Sequence, residues 1–166
     1  MSKSIFNIHI IMKKEIKIMN IDVYDDVTMA KIVFRIGGRD KKMKCLWRTL
    51  RMRNRKAGHR MARGSFPIRY KPRGGFLPAL VIKLSNQSMV GVIPYRHVTW
   101  DNFGNDIYLL NYDESIVSDD DYRLLIRILY DWNADTITID DAAKDKEHDG
   151  ETFLVNKGKV WRGWNE

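Results

Sequence analysis

In "MAKIVFRI", residues 29–36, Ala30, Ile32, Phe34 and Ile36 fall on one side of an extended chain and the residues between them on the other. An apolar period of two belongs to a strand with one buried face; a helix repeats its faces every ~3.6 residues instead. "EIKIMNIDV", residues 15–23, carries the same alternation, and β-branched residues dominate the first 36 positions. The chain therefore begins as sheet, with a turn expected at "YDD", residues 24–26, and with Gly37 and Gly38 ending the segment.

The pattern then changes. Asp40 suits the N-cap of a helix expected over about 40–57, on which Met43, Leu46, Trp47, Leu50 and Ala57 recur at spacings of three, four and seven. Lys44, Arg48, Arg51 and Arg55 then form a strip of cations beside the apolar stripe, extending over ~16 Å at ~1.5 Å per residue. "GSFPIRYKPRGGFLP", residues 64–78, holds three of the four prolines and reads as a long surface loop. It interleaves Phe66, Tyr70 and Phe76 with Arg69, Lys71 and Arg73, a pairing of rings and cations that suits unstacked bases and phosphates.

Further strands follow in "ALVIKL" and "SMVGVIPYRHVTW", which form a hairpin about Ser85–Gln87, and in "IYLLNY". Ser118 starts a second helix over 119–132, with Asp119, Asp120 and Asp121 in its first turn, and the apolar run "YRLLIRILYDW" predicts that this helix is buried. "TITIDD" is a short strand, residues 140–151 an acidic loop, and "TFLVNKGKVWRG" a closing hairpin. The expected fold is α+β, a single domain over 1–166 of mainly antiparallel strands with two main helices.

Charge is segregated along the chain. The net is +8, yet residues 35–73 hold fifteen Lys or Arg against one acid, Asp40, whereas residues 101–151 hold fifteen Asp or Glu against four basic residues. A surface that only keeps a protein soluble mixes both signs, so a block of one sign points to a partner of the other. Arg outnumbers Lys six to one across residues 46–64, and the guanidinium fork grips phosphate through paired hydrogen bonds. The acidic block admits three readings: a solvated face, an intramolecular counterweight to the basic block, or a docking surface for a basic partner.

Other chemistries find less support. The single cysteine, Cys45, has no histidine at zinc-ligand spacing, so neither a disulfide nor a metal is expected, and no cofactor is implied. A metal-dependent nuclease would draw on Asp140 and Asp141, but no acidic-x-Lys strand accompanies them, and His59 and His97 stand alone; no catalytic residue is assigned. The N-terminal apolar run is too short to span a bilayer and lacks a cleavage site, which predicts a cytoplasmic protein without a membrane partner.

The function expected from these features is nucleic-acid binding, DNA somewhat ahead of RNA, by a small regulatory or accessory factor. Its phosphate contacts are assigned to Lys44, Arg48, Arg51, Arg55, Arg60, Arg63, Arg69, Lys71 and Arg73, with Tyr70 among them as a stacking ring. The alternative is a protein effector that docks its basic helix on an acidic surface of a machine for transcription, replication or defence. No helix-turn-helix, zinc-finger, RNP or other recognisable module matches, so no groove is assigned.

Overall fold

The computed structural model describes residues 14–48, 63–73, 76–84, 89–95, 106–140 and 146–153. Nine strands are β1 (Lys14–Val23), β2 (Val27–Ile36), β3 (Arg39–Arg48), β4 (Gly64–Arg73), β5 (Phe76–Lys83), β6 (Met89–Pro94), β7 (Ile107–Asn111), β8 (Thr136–Ile139) and β9 (Lys146–Glu147); one helix, α1, spans Asp119–Asp131. Eight strands close on themselves in the order β1-β2-β3-β7-β6-β5-β4-β8, since β1 pairs with both β2 and β8, and β9 adds to the end of β1. The β6–β7 and β8–β1 pairs are parallel and the other six around the barrel antiparallel. The fold is therefore a closed β-barrel with one short helix, which corrects the α+β expectation of two main helices.

Closure follows from the number of long, one-sidedly apolar strands. Eight strands enclose an interior just wide enough for side chains to fill, and closure leaves no strand edge seeking a partner. Ile16 and Ile18 of β1, Ile32 and Phe34 of β2, and Leu80 and Ile82 of β5 are buried in one interior cluster. Small and large residues alternate: Ala30 faces Cys45, whereas Ile32 faces Met43. Burial drives the Cys45 thiol far above its ordinary range, so it behaves as a small hydrophobe. A second cluster, including Val27, Met29, Leu46, Tyr108 and Phe153, packs outside the barrel.

The expected helix over 40–57 is the largest error. Residues 39–48 are strand β3, paired with all of β2 from Val27↔Arg48 to Ile36↔Arg39. Gly37 and Gly38, with φ of 61° and 81°, do not end the sheet but turn it through a two-residue hairpin of the primed type. Asp40 caps no helix; its carboxylate takes Arg35 Nε at 2.8 Å and Nη2 at 3.0 Å across the hairpin. The apolar positions also fit a strand, because Met43, Cys45 and Trp47 point inward and Leu46 joins the outer cluster. Residues 49–57 lie outside the described residues.

The surface loop expected over 64–78 is likewise strand. β4 pairs with β8 through Gly64–Pro67 and with β5 from Ile68 onward, the two registers meeting at Ile68, whose N–H still donates to the Asp135 carbonyl on the β8 side. That arrangement accommodates proline: Pro67 lies in the half that pairs with β8 alone, and Pro72 sits where the β4–β5 register shifts. The acidic loop expected over 140–151 contains β9, whose two residues pair with Asp22 and Val23; residues 141–145 lie outside the described residues. The hairpin expected after Thr152 lies outside them from residue 154.

Helix α1 starts where expected, with Ser118 Oγ accepting the Asp121 N–H at 3.1 Å. It is not buried all round. Tyr122, Leu125, Ile126 and Leu129 enter the barrel core, while Leu124, Ile128, Tyr130 and Trp132 are exposed. Arg123 and Arg127 pair along the surface with Asp120 and Asp131. The Tyr122 hydroxyl accepts the Leu80 N–H and donates to the Val92 carbonyl, tying the helix to β5 and β6 where those residues are register partners. Among the described residues no helix is long and apolar enough to cross a membrane.

Candidate nucleic-acid interface

Because Ala30, Ile32 and Phe34 point inward, Lys31, Val33 and Arg35 must point outward. Register then assembles a face. Lys17 of β1 faces Val33 of β2, which faces Lys42 of β3; one step along, Met19 faces Lys31, which faces Lys44. Adjacent strands are ~4.8 Å apart, so four lysines occupy a patch three strands wide, about 10 Å across, on a rigid sheet.

Carboxylates answer only part of this charge. Lys17 Nζ lies 3.5 Å from Asp140 Oδ2, and Lys44 Nζ lies 3.4 Å from Glu114 Oε1. Arg35 is matched by Asp40, whose carboxyl this guanidinium holds below the usual carboxylate range. No carboxylate among the described residues stands within ion-pair distance of Lys31 or Lys42. Among the described residues the acidic second half thus supplies counterions at Lys17 and Lys44, through Asp140 and Glu114.

A cleft of about 290 Å³ opens beside these lysines, lined among others by Asp22, Tyr24, Lys31, Lys44, Tyr112 and Glu114. Its origin is local. Asn20, with φ of 55°, sits in a bulge where the β1–β2 register shifts between Met19 and Asp22. The extra residue reverses the alternation, so that Ile21 and Val23 point inward and Asp22 outward. Opposite, the turn after β7 is fixed by Glu114 N–H donating to the Asn111 carbonyl at 2.8 Å and Ser115 N–H to Asp113 Oδ1 at 3.0 Å. The Ser115 hydroxyl and N–H together hold the Asp113 carboxyl low, and the Lys44 ammonium lies 5.4 Å from the Tyr112 ring centroid.

One wall of the cleft is buttressed by His148. Its Nε2 lies 3.2 Å from Asp22 Oδ1, its Nδ1 lies 3.0 Å from Glu151 Oε2, and its ring stacks on Tyr24 at 4.2 Å and 6°. Burial, reinforced by Asp22, Glu151, Glu114 and Asp26, raises the Tyr24 phenol above its ordinary range. Buried Asp26 accepts the N–H groups of Val27 and Phe153 at 2.9 and 2.7 Å, which fastens Phe153 beside this wall. Among the described residues no three His, Cys, Asp or Glu side chains are placed to hold a metal ion. Asp140 is engaged with Lys17, and Asp141 lies outside the described residues.

The residues expected to contact phosphate are dispersed. Lys44 lies on the lysine face, and Arg48 ends β3, half-buried, beside Val27. Arg51, Arg55 and Arg60 lie outside the described residues, and Arg63 immediately precedes β4. The basic connection thus leaves β3 and enters β4 at the same end of the barrel. Arg69 and Lys71 are exposed on β4, separated from β2 by β8 and β1, and Arg73 closes β4. Tyr70 is directed to the helix end: its hydroxyl donates to the Ala134 carbonyl at 2.6 Å and its ring meets Tyr130 edge-on at 5.6 Å.

Lys17, Lys31 and Lys42 escaped the sequence reading, although the alternation that turns Ile32 and Phe34 inward also turns Lys31 outward. No signal in the sequence placed His148 against Asp22, a contact across 126 positions. Comparison with known proteins adds no analogue: no family model matches the chain, and neither a curated protein nor a solved structure resembles it.

Proposed function

We propose that the chain binds nucleic acid through the outer face of β1–β3. The observation that supports this most directly is that Lys31 and Lys42, on a rigid sheet beside Lys17 and Lys44, make no direct ion pair among the described residues, with Asp40 acting on them only through space. Cations at fixed spacing that are not locked in a direct ion pair release counterions when phosphates replace the salt around them. The residues between Arg48 and Arg63, with Arg51, Arg53, Arg55, Lys56 and Arg60, add charge of the same sign.

Fluorescence anisotropy with labelled single-stranded and duplex oligonucleotides tests the reading. If six to ten phosphates are neutralised, affinity falls by ~10³ to 10⁵ between about 50 and 200 mM salt. The Lys31→Glu, Lys42→Glu double variant weakens binding to all sequences alike, since phosphate contacts carry no base information. A flat salt response, or unchanged affinity in the double variant, overturns the proposal.

A further inference from the structure

We propose that the cleft between Asp22 and Tyr112 holds one unstacked ribonucleotide of a single-stranded RNA, an inference that rests on nucleic-acid binding by the adjoining lysine face. At about 290 Å³ the cleft sits at the small end of ligand pockets, too confined for the two paired strands of a duplex. Its formal charges balance, Lys31 and Lys44 against Asp22 and Glu114. A site of this kind accepts the single negative charge of a phosphodiester between the two ammonium groups, whereas a triphosphate would meet the carboxylates.

The carboxylates narrow the choice further. Asp22 engages His148 through Oδ1 and Glu114 engages Lys44 through Oε1, so among the described residues each keeps a second oxygen able only to accept hydrogen bonds. The occupant must therefore bring donors beside its anion. Ribose hydroxyls and base amino groups meet that need, and the 2′-hydroxyl is the donor that DNA lacks.

Tyr112 supplies the ring. It is 52% exposed at the rim of the cleft, with the Lys44 ammonium held 5.4 Å from its centroid. A base stacked on this ring would carry its phosphate toward Lys44 and its register partner Lys31. Stacking of this kind requires a base free of its own strand partner, which a duplex does not offer.

The test is anisotropy with three labelled probes of one mixed sequence: single-stranded RNA, the corresponding single-stranded DNA, and the RNA duplex. Single-stranded RNA should bind most tightly. Tyr112→Ala should weaken it about tenfold, within the range measured for loss of one base stack, while leaving the duplex within about twofold. Glu114→Gln should narrow the difference between RNA and DNA strands. If Tyr112→Ala leaves the single strand unaffected, or if strand and duplex bind alike, while Lys31→Glu still weakens both, the cleft inference fails and the lysine face stands. If no probe binds, both proposals fall.

Discussion

Lys31 on β2 and Lys44 on β3 are register partners, side by side on the outer face of the barrel. Like charges directly opposite one another destabilise a sheet, and an opposite-charge pair contributes ~0.2–1 kcal/mol. Lys31→Glu should therefore raise the urea midpoint slightly while lowering affinity for nucleic acid, and Lys31→Gln should reduce the salt slope by ~0.7–0.9 for one lost phosphate contact. Stability and binding moving in opposite directions is the signature of a residue kept for a partner. A fall in both would assign Lys31 a role in folding.

Tyr122→Phe isolates the tie between helix and barrel. Its hydroxyl is the acceptor for the Leu80 N–H and the donor to the Val92 carbonyl, and Tyr122 is 1% exposed. Removing it leaves two buried backbone groups without that partner at almost unchanged volume, a cost of ~1–3 kcal/mol. Equilibrium denaturation should show the loss as a lower midpoint with unchanged slope. A change below a few tenths would mean that the two strands close directly on each other in the variant.

How much of this was legible can be judged from β2 and β3. The inward set Ala30, Ile32, Phe34 was readable because its period admits one interpretation. The set Met43, Leu46, Trp47 was not, because a strand with one face in the barrel and the other in a second cluster is apolar on both sides and so imitates helical spacing. The prolines of β4 argued against a strand, and the structure places Pro67 where the pairing passes from β8 to β5 and Pro72 at a register shift. The start of α1 was readable from Ser118, since a cap is a local interaction. The lysine face and the cleft depend on register across β1, β2 and β3 and on one bulge at Asn20, which no local pattern encodes.

Gly37→Ala probes the turn between β2 and β3. Gly37 has φ of 61°, and an added Cβ would lie 3.0 Å from two Trp132 ring atoms. The left-handed conformation costs a residue with a side chain ~1–2 kcal/mol, and the contact with the ring adds to it. In a Trp132→Ala background the steric part disappears and the conformational part remains. The double-mutant cycle should therefore return a coupling between positions 37 and 132. Strict additivity would place the Trp132 ring away from the turn.

Alkaline unfolding reports on Tyr70. Burial first, and Asp135 second, push its phenol from 10.0 up to about 12, and its hydroxyl donates to the Ala134 carbonyl at 2.6 Å. Below pH 10 the group is protonated in both states and contributes no pH dependence. Between about 10 and about 12 the unfolded chain loses the proton and the folded chain keeps it, so the unfolded state binds fewer protons and stability falls as pH rises. Tyr24 and Tyr95, raised chiefly by burial, act in the same direction. Tyr70→Phe should therefore make the decline of the urea midpoint across this window shallower without abolishing it. An unchanged decline would show that the Tyr70 hydroxyl is open to solvent, which would return its ring to the residues available for stacking on a base.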